Sequence, residues 1–164
     1  MSQYSFVTHW KFKAPIDQVW TIIRDMDSWP EWWKYVKSVE LIRQGDHNDI
    51  GSVRRITWST ALPYELSFNS ELISLDYLKR IEGNAVGELT GKGIWTFVSK
   101  GDVTEVRYDW IVETTKWWMN LLAPFARPLF KWNHDQVMKA GYKGLQERLS
   151  SNQQKPYIDS PHII

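Results

Sequence analysis

His134 keeps the most unusual company of the four histidines in this sequence. Phe130, His134, Met138, Gly141 and Leu145 follow at steps of four, four, three and four, so they share one face of a helix, with Val137, Ala140 and Gly144 beside them. A neutral imidazole on that face could orient a carbonyl or hydroxyl, or move a proton near neutral pH. The alternative is a core histidine hydrogen-bonded to Tyr108 or to backbone. Asp135 lies one residue on, about 100° round a helix, so a His134–Asp135 dyad is not expected. Arg54 is in phase with Ile56 and Trp58, where it could reach a cavity mouth and pair with a ligand carboxylate, or turn out to solvent. The histidines show no paired metal-ligand spacing and the chain has no cysteine, so no metal site is expected. A phosphate-binding glycine loop, a Gly-x-Ser-x-Gly elbow and a catalytic cysteine are also missing, and no cofactor is expected.

The stretch DSWPEWWKYV places Trp29, Trp32 and Trp33 at a proline-broken junction, which suits the wall or rim of a pocket more than a periodic core element. Aromatic residues make up 15% of the chain, with 11 tryptophans, and such side chains form walls for flat or greasy partners as readily as a core. Twenty basic residues against 19 acidic ones leave no positive field for nucleic acid. No run of about 18 apolar residues and no apolar signal core are present, so a cytoplasmic location is expected.

The elements that must position these residues follow from periodicity. Residues 4–12 alternate with period two as a half-buried strand, and residues 14–29 switch to helical spacing through Ile16, Val19, Trp20 and Ile23. Ser28 is placed to cap a second short helix with Pro30 in its first turn. Strands are expected over residues 36–43, 52–60, 64–75, 77–86, 88–99 and 103–114, joined by connections short enough to make neighbours antiparallel. In the last of them Val106, Tyr108, Trp110 and Val112 face a covered side. A helix is expected over residues 128–149, about 33 Å long, after interruptions at Pro124 and Pro128. Residues 1–149 then form one domain and residues 150–164 a tail.

This order, together with HWKFKAPIDQVWTIIRDMDSWPEWW, GSVRRITW and the closing RYDWIVETTKWWMNLLAPFARPLFKWNHDQVMKAGYKGLQERL, resembles the START-like helix-grip superfamily (SRPBCC), and within it the polyketide cyclase/dehydrase-type group. The resemblance implies an α+β fold with a curved antiparallel sheet of about seven strands around a long C-terminal helix, two short helices after the first strand, and a cavity for lipids, sterols, polyketides or other hydrophobic molecules. Some members are enzymes, and with no universal catalytic motif no catalytic residue carries over.

A ligand held there would meet Trp10, Trp33, Arg54, Trp58, Phe68, Trp95, Tyr108, Trp110, Phe130, His134 and Met138. Phe97 belongs to the same interior. Gly91 and Gly93 would leave ligand volume or admit the helix. The expected function is binding, with transport as its extension, of a hydrophobic small molecule or lipid. A cyclase or dehydratase using His134 and Tyr108 is the alternative. The segment KWWMNLLAPFARPLFKW, residues 116–132, holds too many large apolar groups for one helical face. It could meet a bilayer interface, form a lid hinged near Ala123 and Arg127, or serve as a buried connection or dimer surface. Trp29, Trp32 and Trp33 are expected to face it across the pocket entrance.

Overall fold

A computed structural model describes residues 3–153. The chain opens with β1 (Gln3–Phe12), α1 (Ile16–Arg24), a 3-10 turn (Met26–Ser28) and α2 (Trp29–Trp32). It continues through β2 (Val36–Arg43), β3 (Val53–Ser59), β4 (Glu65–Asp76), β5 (Arg80–Gly87), β6 (Leu89–Lys100) and β7 (Val103–Thr114) to α3 (Trp117–Gln153). The seven strands form one sheet in the order β1-β7-β6-β5-β4-β3-β2, antiparallel throughout. β1 and β2 are therefore opposite edges, and α1 and α2 carry the chain from one to the other. Register shifts in the β2–β3 and β4–β5 pairs add local twist, which helps the sheet curve. This is the helix-grip α+β architecture expected from the sequence.

Alternation decides which side chains face inward. Tyr4, Trp10 and Phe12 are buried on β1 while Ser5, Val7, His9 and Lys11 are exposed, and β7 repeats the pattern with Val106 and Val112. The inner face of the sheet receives the stripe Phe130, Met138, Gly141 and Leu145 of α3. Two glycines set how closely α2 meets this helix. A Cβ on Gly141 would stand 2.5 Å from the Trp33 ring, and one on Gly144 would run into the Trp32 carbonyl. The Trp33 indole uses that proximity to donate to the Val137 carbonyl at 2.8 Å.

Several local expectations change. α3 starts at Trp117 and passes unbroken through Pro124 and Pro128, both exposed, so the donors those prolines delete lie on the wet side. Its first turn is held to the sheet by a Thr114–Asn120 hydrogen bond of 2.7 Å and a Lys116–Glu88 ion pair of 2.5 Å. No hinge interrupts it at residue 123 or at Arg127. The helix also extends past 149 to Gln153, while residues 154–164, the rest of the expected tail including His162, lie outside the described residues. Residues 77–79 form a turn before β5, with Leu78 at φ +59°. Ser28 precedes α2 without capping it, its hydroxyl donating instead to the Asp25 carbonyl at 2.9 Å.

Candidate functional site

Between the sheet and α3 lies a cavity of about 120 Å³. Phe68, Trp95, Tyr108 and Trp110 form its sheet wall, Trp58 comes from β3, Trp29 and Trp33 from α2 and its end, and Phe130, Val137 and Met138 from α3. The wall is a continuous aromatic surface. Trp95 stacks on Tyr108 with ring centroids 4.1 Å apart, Tyr108 on Trp110 at 6.0 Å, and Trp110 meets Phe68 at 5.5 Å. A second chamber of about 70 Å³ shares Trp29, Trp58, Phe68, Trp95, Tyr108 and Trp110 with the first and reaches Arg54, Asp49 and Ser52. The two spaces are neighbours across common side chains.

Four buried polar atoms on the larger cavity have no hydrogen-bond partner among the described residues: the Tyr4 hydroxyl, Trp58 Nε1 and both ring nitrogens of His134. A buried polar group left unpaired costs about 1–3 kcal/mol, so these atoms are the natural points of contact for a bound molecule or ordered water. His134 lies flat on Phe6, centroids 4.3 Å apart and planes 12° from parallel, with its side chain only 14% exposed. Burial pushes its pKa down to about 4, against the opposing pull of Asp135, and the ring is neutral at pH 7. One nitrogen then donates and the other accepts. The expected alternative of a core histidine bonded to Tyr108 or backbone does not hold. The expectation about Asp135 is also corrected in part: its carboxylate curls back to 3.8 Å from Nδ1, a charge contact too long for a hydrogen bond, while Lys131 holds it at 2.8 Å.

Burial raises the pKa of the three phenols on the wall, Tyr64 to about 12, Tyr108 further, and Tyr4 despite nearby Arg127. All three remain protonated donors. Among the described residues, no aspartate, glutamate, lysine or arginine lines this cavity. The chamber is uncharged, apolar over most of its surface and supplied with hydrogen-bonding groups.

Of the residues expected from the sequence, Trp33, Trp58, Phe68, Trp95, Tyr108, Trp110, Phe130, His134 and Met138 line the cavity together. Trp10 does not. It is buried behind the wall against Trp33 and Trp95, with centroids 5.7 and 5.5 Å away, and Phe97 packs under α1 against Trp20 at 4.9 Å. Arg54 does not line the larger cavity and does not turn to solvent; it borders the second chamber within a cluster of ion pairs. Its Nε and Nη2 donate to Asp27 at 2.9 and 3.2 Å, and Nη1 donates to Asp49 at 3.0 Å and Ser52 at 2.9 Å, leaving no free fork for a carboxylate. Burial alone would lower its pKa, yet the two aspartates outweigh that and hold it firmly protonated. The missing side chain of Gly93 accommodates the Tyr108 ring, whose hydroxyl would lie 2.7 Å from a Cβ there, and Gly91 presses on the β7 backbone. Neither lines the larger cavity or meets the helix, although Gly93 borders the second chamber. Trp33 and Trp32 pack against Gly141 and Gly144 of α3, while Trp29 and Trp33 line the cavity together with Met119 and Phe130 of the 116–132 segment.

Sequence reasoning missed Tyr4, Phe6, Tyr64, Asn133 and Thr114 as lining residues. Tyr4 and Phe6 had a signal, since they share the inward phase of Trp10 on β1. Asn133 had none: it lines the cavity and accepts the Ala61 amide at 2.8 Å, a contact across 72 residues of chain.

Residues 3–150 match the profile of a family described as polyketide cyclase / dehydrase and lipid transport. The chain belongs to that family. Solved structures with the same fold include an aromatase/cyclase from Streptomyces sp. R1128, at 15% identity, a TM-score of 0.77 and coverage of 94% of this chain and 98% of that one. A START superfamily protein from Mycobacterium smegmatis matches at 15% identity and TM-score 0.71, covering 92% and 98%. The protein TTHA0849 from Thermus thermophilus matches at 22% identity and TM-score 0.72, covering 92% and 100%. A comparison with curated proteins returned no significant match. At these identities the structural likeness shows the fold, and family and fold together make this family member a hydrophobic ligand-binding or polyketide cyclase-like domain.

Proposed function

We propose that the protein binds, and carries, a neutral and mostly apolar small molecule bearing hydroxyl or carbonyl groups. The observation behind this reading is an uncharged aromatic cavity in which Tyr4, Trp58 and His134 present four buried polar atoms without partners among the described residues. Apolar burial at about 25 cal/mol per Å² supplies most of the affinity, and the polar atoms fix orientation. An apolar cavity of about 150 Å³ accepts a single aromatic ring. The resting chamber of about 120 Å³ therefore suits a ligand of that size, and a larger one enters as the shared Trp29 and Trp58 side chains shift and join the second chamber. Organic extraction of purified protein followed by mass spectrometry should return a recurrent neutral compound. Protein that repeatedly carries nothing and takes up no fluorescent sterol or aromatic probe refutes the reading.

A second reading, a cyclase or dehydratase on a hydrophobic carbonyl compound, draws on His134, whose buried ring nitrogens have no hydrogen-bond partner among the described residues and could take and release a proton. A pKa near 4 makes the ring a weak base, which places this reading second. Turnover that disappears in His134→Ala while ligand binding survives would promote it.

A further inference from the structure

The outer face of α3 in its N-terminal half is apolar and uncovered. Trp117, Leu121, Phe125, Leu129 and Trp132 follow at steps of four, four, four and three, forming one stripe about 22 Å long at 1.5 Å per residue. Phe125 is 88% exposed, Trp117 75% and Leu121 69%, and Leu122 lies exposed beside them. The opposite side of the same turns is buried, with Met119 and Phe130 on the cavity. A contiguous apolar stripe of this kind on a globular domain marks a docking surface.

Charge selects the occupant. Between Glu113 and Asp135 the chain has no acidic residue; Arg127 and Lys131 flank the stripe on one side of the helix, and Lys116 turns to the sheet. Arg127 is exposed, with its guanidinium over the Tyr4 ring at 5.8 Å, and the pairs Lys131–Asp135 and Lys116–Glu88 are local. Arg127 is the base of this segment left without a carboxylate among the described residues, and a second copy laid on this face offers it none on the stripe. Anionic headgroups complement the bases, and tryptophans at both ends with leucine and phenylalanine between them match the interface of a bilayer, where indoles sit at headgroup level and smaller apolar groups go deeper. No helix among the described residues is long and apolar enough to cross a membrane, so the contact is with one leaflet.

We propose that the Trp117–Trp132 stripe of α3 docks the protein on the surface of an anionic lipid bilayer, with Phe125 inserted and Arg127 and Lys131 against the headgroups. This inference stands apart from the ligand reading, because it uses the outer face of the helix and not the cavity.

Flotation with vesicles of phosphatidylcholine alone, and of phosphatidylcholine with one quarter phosphatidylglycerol, tests it. The intact chain should float with the anionic vesicles and much less with the neutral ones. Phe125→Ser should weaken flotation about tenfold, the factor expected from losing one buried aromatic side chain. Arg127→Gln with Lys131→Gln should remove the preference for anionic lipid, and circular dichroism should show all variants folded, since the positions are exposed. Absence of flotation, equal flotation of Phe125→Ser, or a concentration-dependent dimer that Phe125→Ser converts to monomer would each overturn the proposal, the last assigning the face to a second copy. A ligand found by extraction together with no flotation would leave the cavity reading standing and remove this one.

Discussion

Acidification should expose His134 as the main brake on stability below neutral pH. In the unfolded chain its imidazole titrates near 6.5, whereas in the folded protein burial holds it near 4. The folded pKa is the lower, so the unfolded state binds the proton more readily. Stability is therefore unaffected above about pH 7 and falls as pH drops from 6.5 toward 4, with a slope approaching 1.4 kcal/mol per pH unit. The whole interval corresponds to a loss of about 3 kcal/mol, a large part of the 5–15 kcal/mol typical of a domain. Phe6 stacked on one face and a carboxylate no closer than 3.8 Å give the protonated ring little compensation, and Lys131 works against it. Glu88 contributes separately. Burial there is outweighed by Lys116 and the Ser67 amide, so its pKa is lowered and its stabilisation disappears only as pH falls below about 4.5. Urea unfolding at half-unit steps from pH 7.5 to 4, on the wild type and on His134→Phe, isolates the histidine, because phenylalanine keeps the flat contact with Phe6 and has no proton to bind. The difference between the two stability curves should open below pH 6.5 and reach about 3 kcal/mol by pH 4. Parallel curves, or an NMR titration of His134 with its midpoint near 6.5, would refute the description of this site as a dry, unpartnered imidazole.

Tyr4→Phe removes a buried hydroxyl that has no partner among the described residues, so the empty protein should keep its stability or gain about 1 kcal/mol, while affinity for an extracted ligand falls roughly tenfold if the hydroxyl contacts it. Calorimetry on both forms reads both effects. Gly141→Ala forces a methyl to within 2.5 Å of the Trp33 ring and should cost about 1–3 kcal/mol in thermal unfolding, even though alanine is the better helix former. Arg54→Met strands Asp27 and Asp49 beside each other and should destabilise by about 1–3 kcal/mol at pH 7, with part of the loss recovered in the Asp49→Asn background. An unchanged urea midpoint for the single variant would contradict the assignment of Arg54 to a structural cluster.

Local periodicity determined most of the architecture. Alternation along β1 and β7 and the four-four-three-four spacing from Phe130 to Leu145 are properties of neighbouring residues, and the structure keeps each of them on the face that the pattern indicates. Helix continuity through Pro124 and Pro128 was not legible, because what decides it is whether the deleted donors lie toward water or toward the core. The site divides the same way. Nine of the eleven expected ligand contacts line the cavity; for the five on the sheet and the three on α3, inward phase along a strand or helix is a local signal. Trp10 shares that phase and still misses the cavity, because Trp33, drawn close to α3 by the bare backbone at Gly141, occupies the space in front of it. Arg54, in phase with Ile56 and Trp58, is held instead by Asp27, 27 residues away along the chain yet 2.9 Å away in space. A cavity is the volume left after distant elements have packed, and so is the isolation of His134 within it. Those quantities depend on the distance between β1, α2 and α3, which tertiary packing alone sets.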